Sequence, residues 1–266
     1  LYAAYPQNVS FKNGLAISYE KLGETHTALG NLDAALRHFQ QSNELCEELY
    51  AAYPQNVSFK NGLAISCQYL GNTHTSLGNL DKALTFFEKD IELSKELYAA
   101  YPQNVGFKNG LAIAYSKLGS THTALGNLDM ALDAYSMTNQ MLVELYAAYP
   151  QNVEFKNNLA ISCQYLGNTH TALGNLDIAL TFFEQYNQLE KELHAAYPQN
   201  VEFKNNLAIS YSKLGTFYRD KKGDKQKARP YFQKCYDLWK ELSEAYPAYV
   251  QFRKNFDWAK RALEGL

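Results

Sequence analysis

The string Leu-Tyr-Ala-Ala-Tyr-Pro begins at Leu1, Leu49, Leu97 and Leu145, and returns at Leu193 with His194 in place of tyrosine. The interval is 48 residues each time, and a degraded version, Leu242 to Pro247, follows after a one-residue insertion. Self-similarity at a fixed period of this size constrains the fold more than any single residue. One such unit cannot hide its own apolar face, so neighbouring units must stack and bury a continuous core.

Two punctuation marks divide each unit. At Tyr53-Pro54-Gln55-Asn56 the proline stops an incoming helix, and Asn56 is placed to cap the next one through its side-chain oxygen. Glu154 and Glu202 lie two places beyond the matching asparagines, where the positive end of a helix favours an acid. At Leu29-Gly30-Asn31-Leu32-Asp33 the glycine supplies a left-handed closing residue. Asn31 is expected to cap the following helix, with Asp33 in its first turn.

Between these marks the apolar residues step by three or four. Phe11, Leu15, Tyr19, Leu22, His26 and Leu29 form one series, and Leu80, Leu84, Phe87, Ile91, Ser94, Leu97 and Tyr101 another. No period-two alternation competes with them. Each unit is therefore expected to be two antiparallel helices of about 20 residues, about 30 Å long. Gly14, Gly62 and Gly110 interrupt the first helix, with Asn158 and Asn206 in the next two units. Either close helix approach or tolerated drift explains them.

The order of these residues resembles the tetratricopeptide repeat, in a form with lengthened helices. Tyr19, Leu22, Gly23, His26, Gly30, Leu32, Ala35, Phe39 and Ser42 follow that family's spacing, as do Leu214, Gly215, Tyr218, Gly223, Ala228, Phe232 and Cys235. The segment from Phe155 to Ala160 is similar to the first helix of the long units in kinesin light chains. The resemblance implies an all-α fold, a right-handed α-solenoid or superhelix of antiparallel helix pairs, with small residues at Gly23 and Ala35 allowing close contact around Phe39. His26, His74, His122 and His170 depart from it, standing where tyrosine is usual, and Asp90 and Tyr186 stand where a small residue is usual. The last two are expected to loosen packing in their helices.

On this reading residues 1–8 end the helix of an earlier unit, residues 9–247 form five extended pairs, and residues 248–266 form a capping helix whose Lys254, Lys260 and Arg261 meet water. The chain is expected to be a fragment of a longer array.

Little in the sequence points to catalysis. No nucleophile, base and orienting acid recur together, no phosphate-binding loop is present, and no catalytic residues or cofactors are expected. The Thr-His-Thr triplets at 25–27, 73–75, 121–123 and 169–171 place histidines in a ladder roughly 10 Å apart, too far for one zinc ion, so no metal is expected. Cys67 and Cys163 stand seven residues, two helical turns, before His74 and His170, and read as packing residues. The sequons at Asn8 and Asn56 read as helix caps. A net charge of -2 lacks the basic excess of a nucleic-acid binder. No apolar run is long enough to span a membrane, so neither nucleic acid nor membrane is an expected partner. Cys46, Cys67, Cys163 and Cys235 show no framework spacing and suit a reducing, cytoplasmic setting.

What remains is a surface. The resemblance implies that first helices line the concave side. The residues facing away from the packing stripe are Asn13, Asn61, Asn109, Asn157 and Asn205, then Gln68 and Gln164, Asn72 and Asn168, and Thr75, Thr123 and Thr171. Their amides both donate and accept, which suits the backbone of a protein or peptide ligand. Lys12, Lys60, Lys108, Lys156 and Lys204 run beside them and are expected to be solvated, or to meet acidic groups. The expected function is a non-catalytic protein-binding module, with a sensor or oligomerisation arm of an NTPase- or protease-linked signalling protein, and hence self-association, as the alternative.

Overall fold

The structure, a computed structural model, describes residue 5 and residues 7–266. Among the described residues it holds eleven helices and no strand: α1 (Val9–Ala28), α2 (Leu32–Ala52), α3 (Val57–Ser76), α4 (Leu80–Ala100), α5 (Val105–Leu125), α6 (Leu128–Ala148), α7 (Val153–Ala172), α8 (Leu176–Ala196), α9 (Val201–Asp220), α10 (Lys225–Ala245) and α11 (Val250–Glu264). The fold is all-α, built from repeating antiparallel helix pairs as the periodicity requires. Of the helix tail expected at residues 1–8, residues 1–4 and 6 lie outside the described residues, and Tyr5, Gln7 and Asn8 are not helical.

The chain forms two compact units that divide within α6, after Met141. In the first, α1 pairs with α2 and α3 with α4, while α2 packs on α3 and α4 on α5. In the second, α7 pairs with α8 and α9 with α10; α8 packs on α9, and α11 covers α10. Each unit is thus a solenoid in which every contact joins near neighbours in sequence.

Local chemistry sets the helix starts. The side-chain oxygens of Asn8, Asn104, Asn152 and Asn200 accept from the amides of Phe11, Phe107, Phe155 and Phe203, and Asn56 accepts from Ser58 and Phe59. The second cap differs from expectation. Asn31, Asn79 and Asn175 sit at the N-cap position but make no side-chain capping bond. Their ψ near 65° departs from the extended backbone that aims a cap oxygen at the next amides. These residues close the preceding helix instead. With Gly30 at φ +75°, the Gly30 amide donates to Thr27 and the Asn31 amide to His26, a Schellman closure repeated at Gly78, Gly126 and Gly174.

One contact recurs in all five pairs. A Cβ placed on Gly23, Gly71, Gly119, Gly167 or Gly215 would come within 2.5–2.7 Å of Phe39, Phe87, Tyr135, Phe183 or Phe232. These glycines let a ring of the second helix lie on the backbone of the first. Gly14 and Gly110 face open space, and Gly62 meets only Cys46 Sγ at 4.0 Å, so close approach does not account for that column.

The histidine ladder is structural. His74 and His170 are buried and stack flat on Phe86 and Phe182, with ring centroids 5.6 and 5.7 Å apart, and burial lowers the pKa of both. Tyr218 stacks in the same way on Tyr231 at 5.7 Å. Cys67 and Cys163 are packing residues, and burial pushes the Cys67 thiol up to about 12.

Asp90 and Tyr186 do not loosen their helices, contrary to expectation. Both are buried and hydrogen-bonded: the Tyr186 hydroxyl donates to the Asn206 carbonyl at 3.3 Å, and Asp90 accepts from Ser94 at 3.0 Å and Gln68 at 3.4 Å. Burial raises the Asp90 pKa to about 7. One turn beyond Tyr186, Glu190 is 0% exposed, neither carboxylate oxygen has a partner, and burial followed by repulsion from Glu202 raises its pKa to about 8.

Candidate functional site

The first helix of each pair carries an outward face built from its less buried positions. On α3 these are Asn61, Ile65, Gln68, Tyr69, Asn72 and Thr75, at spacings of three or four that keep them on one side. Where two first helices run side by side, this face opens into a cavity. In the first unit a cavity of about 330 Å³ lies between α1 and α3, lined by Glu24, Thr27, Phe39, Tyr69, Asn72 and Thr73. In the second, a cavity of about 260 Å³ lies between α7 and α9, lined by Asn168, Thr171, Phe183, Lys213, Thr216 and Phe217. Each residue of the second set stands 144 positions, three repeats, after its counterpart in the first. The same place in the repeat therefore makes a cavity twice, with the ring held by the recurring glycine as its floor.

The chemistry over these floors differs. Tyr69 stacks on Phe39, with centroids 4.8 Å apart and planes 7° from parallel, and its hydroxyl donates to Glu24. Glu24 also accepts from Lys21 at 2.8 Å, and the bonds from Lys21 and Tyr69 hold its pKa below the usual carboxylate range. In the second unit Lys213 replaces Tyr69 and donates to Asn168 at 3.2 Å. Burial draws the Lys213 ammonium partly out of water and so pushes its pKa down.

The residues named from sequence fall in different surroundings. Asn72, Asn168 and Thr171 line the cavities. The hydroxyls of Thr75, Thr123 and Thr171 donate to the carbonyls of Gly71, Gly119 and Gly167, leaving only their lone pairs for a ligand. Gln68 turns toward α4, donating to Asp90, and Gln164 is half-buried. The asparagine row is not the open wall expected of it. Asn205 accepts from Trp239 Nε1 of α10 at 3.0 Å, and the side-chain oxygens of Asn109 and Asn157 are buried. Asn13 and Asn61 are half-buried. This column sits at the edge of the contact with the second helix, so its amides turn inward.

Of the two expectations for the lysine row, the meeting with acidic groups is the one found, and the acids belong to the chain itself. Lys12, Lys60, Lys156 and Lys204 pair with Glu48, Glu96, Glu192 and Glu241 of their own second helices at 2.5–2.6 Å. Lys60, Lys108 and Lys156 also lie over Tyr50, Tyr98 and Tyr146 at 5.5–5.7 Å. They tie each pair together rather than await a ligand. Tyr69, Lys213 and the floor rings were absent from the sequence-based site. Their signal was the column Lys21, Tyr69, Lys117, Tyr165 and Lys213, where side chains alternate between copies that are otherwise nearly identical.

The described residues hold no group of three His, Cys, Asp or Glu side chains that could bind a metal, and no helix long and apolar enough to cross a membrane. Fold and surface together define a helix-pair solenoid that offers a repeated wall of side chains. Residues 14–96 and residues 206–238 each match the tetratricopeptide repeat, so these stretches carry repeats of that family within its fold, one generally used as a scaffold for protein–protein interaction. Comparison with curated protein sequences found no match.

Several solved structures share the fold. The apo form of RapI superposes with a TM-score of 0.60 at 12% identity, over 95% of this chain and 85% of that one. A Podosopora anserina protein designated a kinesin light chain, with nearly identical TPR-like repeats, gives 0.57 at 16% identity, over 87% and 97%. BtubC from P. vanneervenii gives 0.56 at 15% identity, over 87% and 92%. At these identities the likeness is one of fold.

Proposed function

We propose that the protein is a non-catalytic interaction module whose first-helix wall holds a peptide or an extended segment of a partner protein. The observation that carries this reading is the pair of sequence-equivalent cavities, each with an aromatic floor and a polar rim. Their volumes lie near the lower end of ligand pockets, about 300 Å³, enough for a side chain. An apolar side chain would enter onto Phe39 or Phe183, while Asn72 or Asn168 meets the ligand backbone. Rigid helices place these groups before binding, which lowers the ordering cost.

The test is a selection of peptides from a displayed random library on the full chain, followed by affinity measurement on variants. Thr27→Trp and Thr171→Trp fill the two cavities from rim positions outside the buried core. Selected peptides are expected to lose at least about tenfold in affinity on one or both variants. Gln188→Trp, on the exposed outer side of α8, is expected to leave binding unchanged. Peptides that bind both filled variants as tightly as the parent would refute the assignment.

A further inference from the structure

The two equivalent cavities differ in charge, and the first has the chemistry of a cation site. At its rim Glu24 stands one turn beyond Glu20 on α1. The same two positions hold Gln68 and Asn72 in α3, Gln164 and Asn168 in α7, and only serine or threonine in α5 and α9. Carboxylates therefore occupy them in α1 alone. One ammonium, that of Lys21, serves both, 2.8 Å from Glu24 and 3.5 Å from Glu20, and its side chain is 62% exposed. Two carboxylates against one ammonium leave this rim negative, whereas the second cavity has Lys213 beside Asn168.

Glu24 is ionised and still has room to accept. The bonds from Lys21 and Tyr69 favour its charged form. A carboxylate has about four lone-pair sites, so acceptor capacity remains for a forked donor. Beside it the lining is apolar: Phe39 and Tyr69 stack 4.8 Å apart, with Ala28 and Leu32 next to them. Aromatic faces attract a cation, and a planar guanidinium also stacks on them. The volume of about 330 Å³ admits a long side chain.

We propose that the first cavity takes an arginine side chain of the bound segment, its methylene stem lying on Phe39 and Tyr69 and its guanidinium meeting Glu24. This rests on the reading of the first-helix wall as a peptide site, and makes the apolar part that enters over Phe39 the stem of an arginine. Arginine fits better than lysine because its flat, forked head reaches a carboxylate through two bonds and lies along a ring, while an ammonium is a strongly hydrated point charge. The exposed Lys21 pair is weak and yields to such a ligand.

The experiment selects displayed random peptides on the full chain carrying Thr171→Trp, which fills the second cavity and leaves the first open. Binders are then measured by fluorescence anisotropy after adding Thr27→Trp, Glu24→Gln or Glu44→Gln to that chain. Peptides lost on Thr27→Trp are expected to be enriched at least about threefold in arginine over the starting library. Replacing that arginine by alanine should weaken binding at least about tenfold, and replacing it by lysine several-fold. Glu24→Gln keeps an acceptor for Tyr69 and removes the charge, so melting should stay unchanged while affinity falls at least about tenfold. Glu44→Gln, exposed on α2 and equal in charge change, should leave affinity as it was. Peptides that Thr27→Trp expels but that lack arginine, that tolerate Glu24→Gln, or that lose as much on Glu44→Gln overturn this inference and leave the wall standing as a peptide site. Binders indifferent to Thr27→Trp, or no binders at all, overturn both readings.

Discussion

The helices α1–α4 of the first unit and α7–α10 of the second are built on the same 48-residue pattern and differ where the pattern leaves room. Asparagine caps, glycine closures and the ring-on-glycine contact are common to both, because each is fixed by backbone geometry. Above the ring the two diverge. One cavity has a carboxylate that pairs with Lys21 and accepts from Tyr69, and the other has a half-buried ammonium held by Asn168. Beneath the surface they diverge again, with Asp90 anchored by Ser94 and Gln68 in one and Glu190 without any partner in the other. Side-chain chemistry and helix geometry therefore occupy different columns of the repeat, and one can change while the other is held.

The largest expected effect comes from making the second unit more like copy three, where Leu142 fills the Glu190 position. Below the ordinary carboxyl value of 4.5, Glu190 is neutral whether the chain is folded or not. Between 4.5 and about 8 the unfolded chain is ionised while the folded one keeps its proton, so stability falls with rising pH, and above about 8 the loss levels off. Glu190→Leu should therefore stabilise the chain by up to about 5 kcal/mol above pH 8 and by less towards pH 5. Urea unfolding across that range reads the gap, and a gap that does not widen with pH would contradict the account.

Gly71→Ala and Gly167→Ala test the shared skeleton. Each forces a ring off a backbone it touches, and each should cost about 1–3 kcal/mol in thermal or urea unfolding. Similar losses in the two units would sharpen the comparison, while a large loss in one alone would break it. Asn56→Ala should cost about 1 kcal/mol through the lost cap, whereas Asn79→Ala, with no side-chain bond to lose, should fall below that. The smallest effect is expected for Lys60→Met, which removes an exposed pair with Glu96 worth about 0–1 kcal/mol and should matter less in high salt.

Much of this was legible in the sequence because it is local. Proline, asparagine and glycine act within a few residues of themselves, so the helix starts and the Gly30-type closures could be read directly. The contact of Gly23 with Phe39 followed from the resemblance. Asn31 was misread because a closing glycine next to it fixes its backbone, and that geometry overrides a favourable residue type. The acids that the lysines meet were not identified although their column is visible: Glu48, Glu96, Glu144 and Glu192 recur in step with Lys12, Lys60, Lys108 and Lys156, 36 residues later each time. Tyr69 and Lys213 were not recognised because each cavity lies between adjacent repeats, whereas the helical period describes one helix at a time. The inward turn of the Asn109 column depends on how one helix rotates against another, which spacing alone does not fix.

The central claim is that the cavities between adjoining first helices receive the ligand. A photoreactive benzoylphenylalanine placed in turn at 72, 168, 88 and 188, with a library-selected peptide bound, tests it directly. Adducts with the peptide from positions 72 or 168, and none from 88 or 188 on the outer sides of α4 and α8, are the result the account predicts. Adducts confined to positions 88 or 188 would contradict it.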